Sequence, residues 1–281
     1  MAVKKRPVVL CVVSDTHAGG TTAMCPPRIN LDDGGHYAAS KLQGALWQAW
    51  LNYWSLASAK RDALDADLYV VFNGDLVEGD HHKSTQILTA NPNAQAAVVN
   101  AAIAVVLDLK PDKIFVIRGT ESHVGQSGSA EERIADGLRR DKRPVQKDPD
   151  SDTSSWWHLV MEIQGIKIDV THHGRTGMRE HTRGGAAVLY AHDIMASYVK
   201  RDEKIPQLCF RGHHHRWNDS GDACPVRVVT TGCWQMPTSF VHKVAADSLP
   251  DIGGAIVTIQ NGAYTLDKVL FPPAPRTIWR V

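Results

Sequence analysis

Val12-Val13-Ser14-Asp15-Thr16-His17 is the stretch that decides the reading of this chain. The run Pro7 to Val13 is apolar and rich in β-branched residues, and it is too short to span a bilayer, so it reads as a buried parallel strand. It ends abruptly in a carboxylate and an imidazole two residues apart, followed by Gly19-Gly20. In open α/β folds, ligands bind at the carboxyl ends of strands, where loops converge on a crevice. An Asp and a His at such an edge can turn their lone pairs toward one cation. An Asp after a strand is also a common helix cap, so the weight of this pair depends on whether the event recurs.

Working outward, it recurs four times. Leu68–Phe72 is the second strand and runs into Asn73-Gly74-Asp75, then Glu78, His81 and His82. Lys113–Ile117 runs into Arg118-Gly119-Thr120-Glu121-Ser122-His123. Trp157–Ile163 and Ile166–Val170, separated by Gln164-Gly165, form a hairpin that ends on Thr171-His172-His173-Gly174. Gln207–Phe210 ends on Arg211-Gly212-His213-His214-His215. Between these strands, helical periodicity covers Ala38–Arg61, Ala94–Leu109, Glu131–Arg140 and Ala186–Val199. Leu42, Leu46, Trp50 and Trp54 repeat every fourth residue on the first helix, the pattern of a helix packed on a sheet. Val226–Thr230, Ala255–Ile259 and Tyr264–Leu270 are further strands, the last two joined by the hairpin turn Asn261-Gly262.

Composition narrows the class. The 281 residues are 43% hydrophobic and 22% charged, ordinary values for a globular protein with a sizeable core. A net charge of +1 excludes a protein that coats duplex DNA by bulk electrostatics. The five cysteines lack C-x-x-C spacing, and Cys11 and Cys209 fall inside apolar strands, as free buried thiols do. Lys4-Lys5-Arg6 leads straight into the first strand with no signal-type apolar region, and no stretch approaches the ~20 apolar residues of a membrane span. The expectation is a cytoplasmic protein without membrane association, folded as one domain over residues 1–281. Its oligomeric state is left open.

Of fourteen histidines, nine lie in the five strand-end loops: His17, His81, His82, His123, His172, His173, His213, His214 and His215. Each loop alone has a bland reading, as a turn carboxylate or a solvated tract, but five together do not. Carboxylate and imidazole donors without thiolate suit Mn, Fe, Zn, Co or Ni rather than a closed structural zinc site. Two such ions roughly 3.5–4 Å apart, sharing a carboxylate, clamp an in-line displacement at phosphorus.

The order of these motifs resembles the calcineurin-like metallophosphoesterases, whose pattern is Asp-x-His, Gly-Asp, Gly-Asn-His, a single His, and Gly-His-x-His. Here it reads Asp15-Thr16-His17, Gly74-Asp75, Gly119 to His123, His172-His173 and Gly212-His213-His214-His215. The resemblance covers roughly residues 8–235 and implies a four-layer α/β/β/α sandwich of two mixed β-sheets flanked by helices. It also implies two divalent metal ions, Mn first, with a metal-bridging hydroxide as nucleophile. Carried over by position, Asp15, His17 and His215 bind one metal, Asp75 bridges, and His213 with either His172 or His173 binds the other. The third motif departs from the pattern: where the family has Asn, Glu121 is expected to supply the oxygen ligand, and His123 to act as catalytic imidazole. Arg118, Arg175, His81 and His82 are expected to contact substrate, with Glu78 and Gln86 lining the cleft. The activity implied is hydrolysis of a phosphodiester, in a nucleic acid or a nucleotide. The alternatives are a phosphomonoesterase acting on a small molecule or phosphoprotein, and a metal-binding scaffold with impaired catalysis.

Overall fold

A computed structural model describes residues 5–31, 33–80, 86–175, 177, 179–244, 248–273 and 278–280. In chain order the elements of the first half are β1 (Val8–Val13), β2 (Arg28–Asn30), β3 (His36–Ala38), α1 (Lys41–Leu64), β4 (Asp67–Asn73), α2 (Pro92–Leu107), β5 (Lys113–Ile117), α3 (Glu121–Val124) and α4 (Ser129–Arg140). Those of the second half are β6 (Leu159–Ile163), β7 (Ile166–Val170), α5 (Arg183–Lys200), β8 (Leu208–Arg211), β9 (Asn218–Asp219), β10 (Arg227–Thr230), α6 (Ser239–Val244), β11 (Ile252–Gln260) and β12 (Ala263–Phe271).

Ten strands form two mixed five-stranded sheets, ordered β12-β11-β1-β4-β5 and β6-β7-β8-β10-β9. In the first, β1, β4 and β5 are parallel and β11–β12 is antiparallel. In the second, β7, β8 and β10 are parallel, with β6 and β9 antiparallel at the edges. Strand alternation then builds the layers. Val9, Cys11 and Val13 of β1 face a core shared with Trp50, Tyr53 and Trp54 of α1. Val8, Leu10 and Val12 face the other way, against Ile168, Val170, Leu208 and Phe210 of the second sheet. Cys209, Val226 and Val228 face outward to Ala191, Ile194 and Tyr198 of α5. The result is the four-layer α/β/β/α sandwich that the family resemblance implies.

Local chemistry sets the boundaries. Helix α1 starts at Lys41, later than its apolar periodicity suggests, because Ser40 caps it reciprocally with Gln43. Ala38, expected in that helix, instead pairs with Arg28 in the small β2–β3 hairpin. Trp50 and Trp54 are buried core residues, edge-on to each other at 5.3 Å, and Trp50 is edge-on to Trp234 at 4.8 Å. The β11–β12 hairpin turns at Asn261-Gly262 as expected, with φ of 52° and 77°. Among the described residues, no helix is long and apolar enough to cross a membrane.

Candidate metal centre

The carboxyl ends of β1, β4, β5, β7 and β8 lie along one rim, and their loops are knitted together by the backbone. Asp15 N donates to Gly74 O at 3.0 Å, His17 N to Asp75 O at 3.0 Å, and Gly212 N to His172 O at 2.8 Å. Two glycines let these loops approach so closely. A Cβ on Gly119 would lie 2.2 Å from Asp75 Oδ1, and one on Gly212 would lie 2.1 Å from Ser14 Oγ. The side chains at this rim sit on strained backbone: φ is 56° at Asp15, 44° at His17, 52° at Asp75, 72° at His213 and 55° at His215. A left-handed conformation costs an L-residue roughly 1–2 kcal/mol, and such strain clusters at functional sites.

The donors form overlapping groups: Asp15 with His17 and His215, Asp15 with Asp75 and His172, His17 with Asp75 and His123, and His172 with His173 and His213. Asp15 and Asp75 are thus shared between two flanks of imidazoles. Asp15, His17, Asp75 and His172 are almost completely buried. Asp15 Oδ2 accepts from His213 N at 3.0 Å and from Ser14 Oγ. Its Oδ1 has no hydrogen-bond partner among the described residues. Facing that oxygen are the Nε2 atoms of His215 at 3.2 Å, His17 at 3.7 Å and His172 at 4.0 Å. His17 Nε2 and His215 Nε2 are themselves 3.0 Å apart. A fully buried orphan lone pair ringed by imidazole nitrogens fits a divalent cation, which accepts from all of them at once.

The ring orientations agree with this. His17 Nδ1 lies 2.9 Å from Glu78 Oε2, which also accepts from Gln235 Nε2 at 2.7 Å. His172 Nδ1 lies 2.6 Å from Asn73 O. At His17 the approach of Glu78 is a contact of charge rather than a directed hydrogen bond, while at His172 the carbonyl fixes the tautomer and turns the other nitrogen toward the cluster. For His172 that other nitrogen, Nε2, lies 3.0 Å from Asp75 Oδ2. The electrostatics show how strongly positive charge is wanted here. Burial alone would lower His172, yet Asp75 and Asp15 raise it to about 10. Burial would also lower His17, but Asp15 and Glu78 raise it to about 9. Asp75, which burial would raise, is held well below the usual carboxylate range by His172. On the outer flank, burial and the charge on His172 lower His213 to about 4.

Most of the sequence-derived site converges here: Asp15, His17, Asp75, His123, His172, His173, His213 and His215. His123 sits against the cluster, its ring 4.5 Å from that of His17 and its Nδ1 3.0 Å from Glu78 O. Where the sequence offered either His172 or His173, β7 ends at Val170 and both rings reach His213 from the loop beyond.

Three placements differ from expectation. Glu121 opens α3 and turns outward, exposed, its Oε1 accepting from Ser127 N at 3.1 Å. Thr120 points inward instead: its N donates to Asp75 Oδ1 at 2.6 Å, and its Oγ1 lies 3.1 Å from His213 Nδ1 and 3.2 Å from His173 Nε2. Arg118 is buried away from the cluster, bonded to Ser155 Oγ at 2.8 Å and Ser127 O at 3.2 Å and paired with Glu132 at 3.3 Å. Arg175 is exposed and pairs with Asp193 at 2.7 Å. His81 and His82 lie outside the described residues.

Sequence reasoning missed the inward role of Thr120, although its place directly after Gly119 is that of Asn in the family motif. It also missed Glu131, fully buried in α4, which accepts from Leu76 N at 3.2 Å and Gly119 N at 2.5 Å. Burial, then the charge on Asp75, push the Glu131 carboxyl up to about 8. Nothing local in the sequence separates Glu131 from an ordinary acidic residue in the first turn of a helix.

Motif order, strand-end placement and the two-sheet sandwich are those that the resemblance to the calcineurin-like metallophosphoesterases implies. No family model matches the sequence, and no curated protein matches it. Among solved structures it is similar in fold to vacuolar protein sorting 29 from Cryptosporidium parvum, at 10% identity over 95% of this chain and 99% of that one, with a TM-score of 0.43. A hypothetical protein from Pyrococcus horikoshii OT3 is 13% identical over 94% and 89% of the two chains, with a TM-score of 0.46. A dimetal phosphatase from Danio rerio is 9% identical over 92% and 98%, with a TM-score of 0.41.

Proposed function

We propose that this chain is a metal-dependent phosphoric-ester hydrolase with a two-cation centre, acting on a phosphodiester in a nucleic acid or nucleotide. The observation that carries the reading is the pair of buried carboxylates, Asp15 and Asp75, shared between two flanks of histidines. Asp15, His17 and His215 would hold one cation. His172, His173 and His213 would hold the other, with Thr120 Oγ1 beside them and Asp75 between the two. Carboxylate, imidazole and hydroxyl donors suit Mn first, with Fe, Zn, Co or Ni as alternatives. When bound, two such ions neutralise charge on the phosphoryl group and supply a nucleophile at neutral pH.

The protein's own groups do the rest. The Asn73 carbonyl holds the His172 ring in register, and Glu78 sets a negative charge against His17. His123, beside His17 and Asp75, would give a proton to the leaving oxygen, a role typically contributing 10²–10⁴-fold. Arg118 and Arg175 are engaged with Glu132 and Asp193, so they offer little to a second phosphate charge, which supports a diester over a monoester. The five cysteines are free and buried, in keeping with a reducing, cytoplasmic setting.

The test is a side-by-side rate measurement on protein stripped by chelator and reloaded with Mn, using bis(p-nitrophenyl) phosphate and p-nitrophenyl phosphate. Two Mn per chain, with faster cleavage of the diester, is the expected result. Faster cleavage of the monoester reverses the substrate assignment, and failure to bind Mn, Fe or Zn ends the metal reading.

A further inference from the structure

The carboxylate of Glu131 is 0% exposed, and its two oxygens accept from two different loops. Oε1 takes the N–H of Leu76, the residue after Asp75, at 3.2 Å, and Oε2 takes the N–H of Gly119, the residue before Thr120, at 2.5 Å. The Asp75–Leu76 peptide is gripped from both sides, since its carbonyl accepts from His17 N at 3.0 Å. The result is seen one residue further on, where Thr120 N reaches Asp75 Oδ1 at 2.6 Å and Thr120 Oγ1 stands 3.1 Å from His213.

A carboxylate is suited to this place because two backbone donors converging from two loops need two acceptor oxygens with no donor between them. An amide of the same shape would turn its NH₂ onto one of the two N–H groups. A carboxylate placed only to stabilise the fold would be a poor choice so near Asp75, because burying a second negative charge there is costly. Cations between Asp15 and Asp75 would offset that cost.

Resting on the two-cation reading, we propose that Glu131 is a positioning residue for the metal centre. It fixes the loops after β4 and β5 at the separation that lets Asp75 and Thr120 face the same cation. It touches neither metal nor substrate and acts through the backbone on either side of them.

The experiment measures Mn binding by calorimetry and metal-free melting temperature, for wild type, Glu131→Gln and Glu131→Asp. Partners that orient metal ligands typically contribute 10–100-fold in affinity. Glu131→Gln should therefore bind Mn about 10–100-fold more weakly, while its metal-free melting temperature falls only as far as the loss of one of the two backbone hydrogen bonds requires. Glu131→Asp keeps the carboxyl group and both acceptor oxygens but is one methylene shorter, so it should also bind more weakly. It decides the matter if the Gln variant fails to fold. Wild-type Mn affinity in either folded variant overturns the proposal. So does a loss of melting temperature in the metal-free variants with Mn affinity intact, since that is the signature of a purely structural clasp. If wild type takes up no Mn, the two-cation reading falls, and this proposal with it.

Discussion

Two buried carboxylate clusters stand near the rim of the sandwich, and they solve the problem of buried charge in opposite ways. Asp169, on β7, is enclosed by permanent partners: Tyr198 OH donates to its Oδ2 at 2.5 Å, and His158 Nε2 lies 2.7 Å from the same atom. Arg211 Nη2 stands 2.8 Å from Oδ1, a contact of charge rather than a directed hydrogen bond. Burial would raise Asp169, but His158, Arg211 and Tyr198 hold it well below the usual range. Among the described residues, no guanidinium is paired with Asp15 or Asp75. Their positive partners are imidazoles, which lose their charge on deprotonation, and they sit 3.2–4.0 Å from Asp15 Oδ1. A carboxylate tied to Arg and Tyr needs nothing more from outside. One surrounded by imidazoles on left-handed backbone has the donors to hold a cation.

The sharpest way to break this comparison is Asp75→Asn. Removing the shared charge should empty both cation positions and cut turnover by on the order of 10³-fold or more, since a bound metal supplies several kcal/mol of transition-state stabilisation. Metal analysis and rates on the folded variant check it; two ions retained per chain would count against Asp75 as the bridge.

Next in size is Asp169→Asn, which leaves Arg211 buried without its counter-charge. Breaking a buried pair costs about 3–5 kcal/mol, read as a lower urea midpoint, while Mn per folded chain stays at the wild-type value. Metal loss with no change in stability would show that the two clusters are not separate in function.

A smaller effect is expected from pH. The folded-state pKa of Asp169 is depressed, so its contribution to stability is fully present above the unfolded value of ~3.9 and is lost as pH falls through that value toward the folded one. Melting temperatures of metal-free protein from pH 7 to pH 3 should drop most steeply below about pH 4. The slope should flatten in Asp169→Asn.

The smallest expected effect separates neighbours on one loop. Thr120→Val should weaken Mn binding, because the hydroxyl between His173 and His213 is gone. Glu121→Ala should change stability by no more than ~0.5 kcal/mol and leave Mn binding unaltered. A Glu121→Ala variant that loses an ion would restore Glu121 as the ligand.

The two-sheet sandwich followed from the family resemblance, while the sequence by itself determined most strands and helices and most residues of the candidate site. Both are written in short-range pattern: β-branched runs such as Val8–Val13 that stop at Asp and His, glycines at the loop approaches, and Asn261-Gly262 where a hairpin must turn. What only the tertiary structure decided is which way each side chain points once the strands have ended. Past Val170 the strand alternation lapses, so His172 and His173 both reach the cluster. At Glu121 a helix begins and swings that carboxylate outward, leaving Thr120 inside. Arg118 is captured by Glu132 and Ser155, groups 14 and 37 residues away in the chain. Glu131 acquires its role from two backbone N–H groups 55 and 12 residues distant. Hydrogen bonds at such separations leave no local periodicity, because they depend on which loops the fold brings together and on side-chain direction, which composition and spacing do not encode.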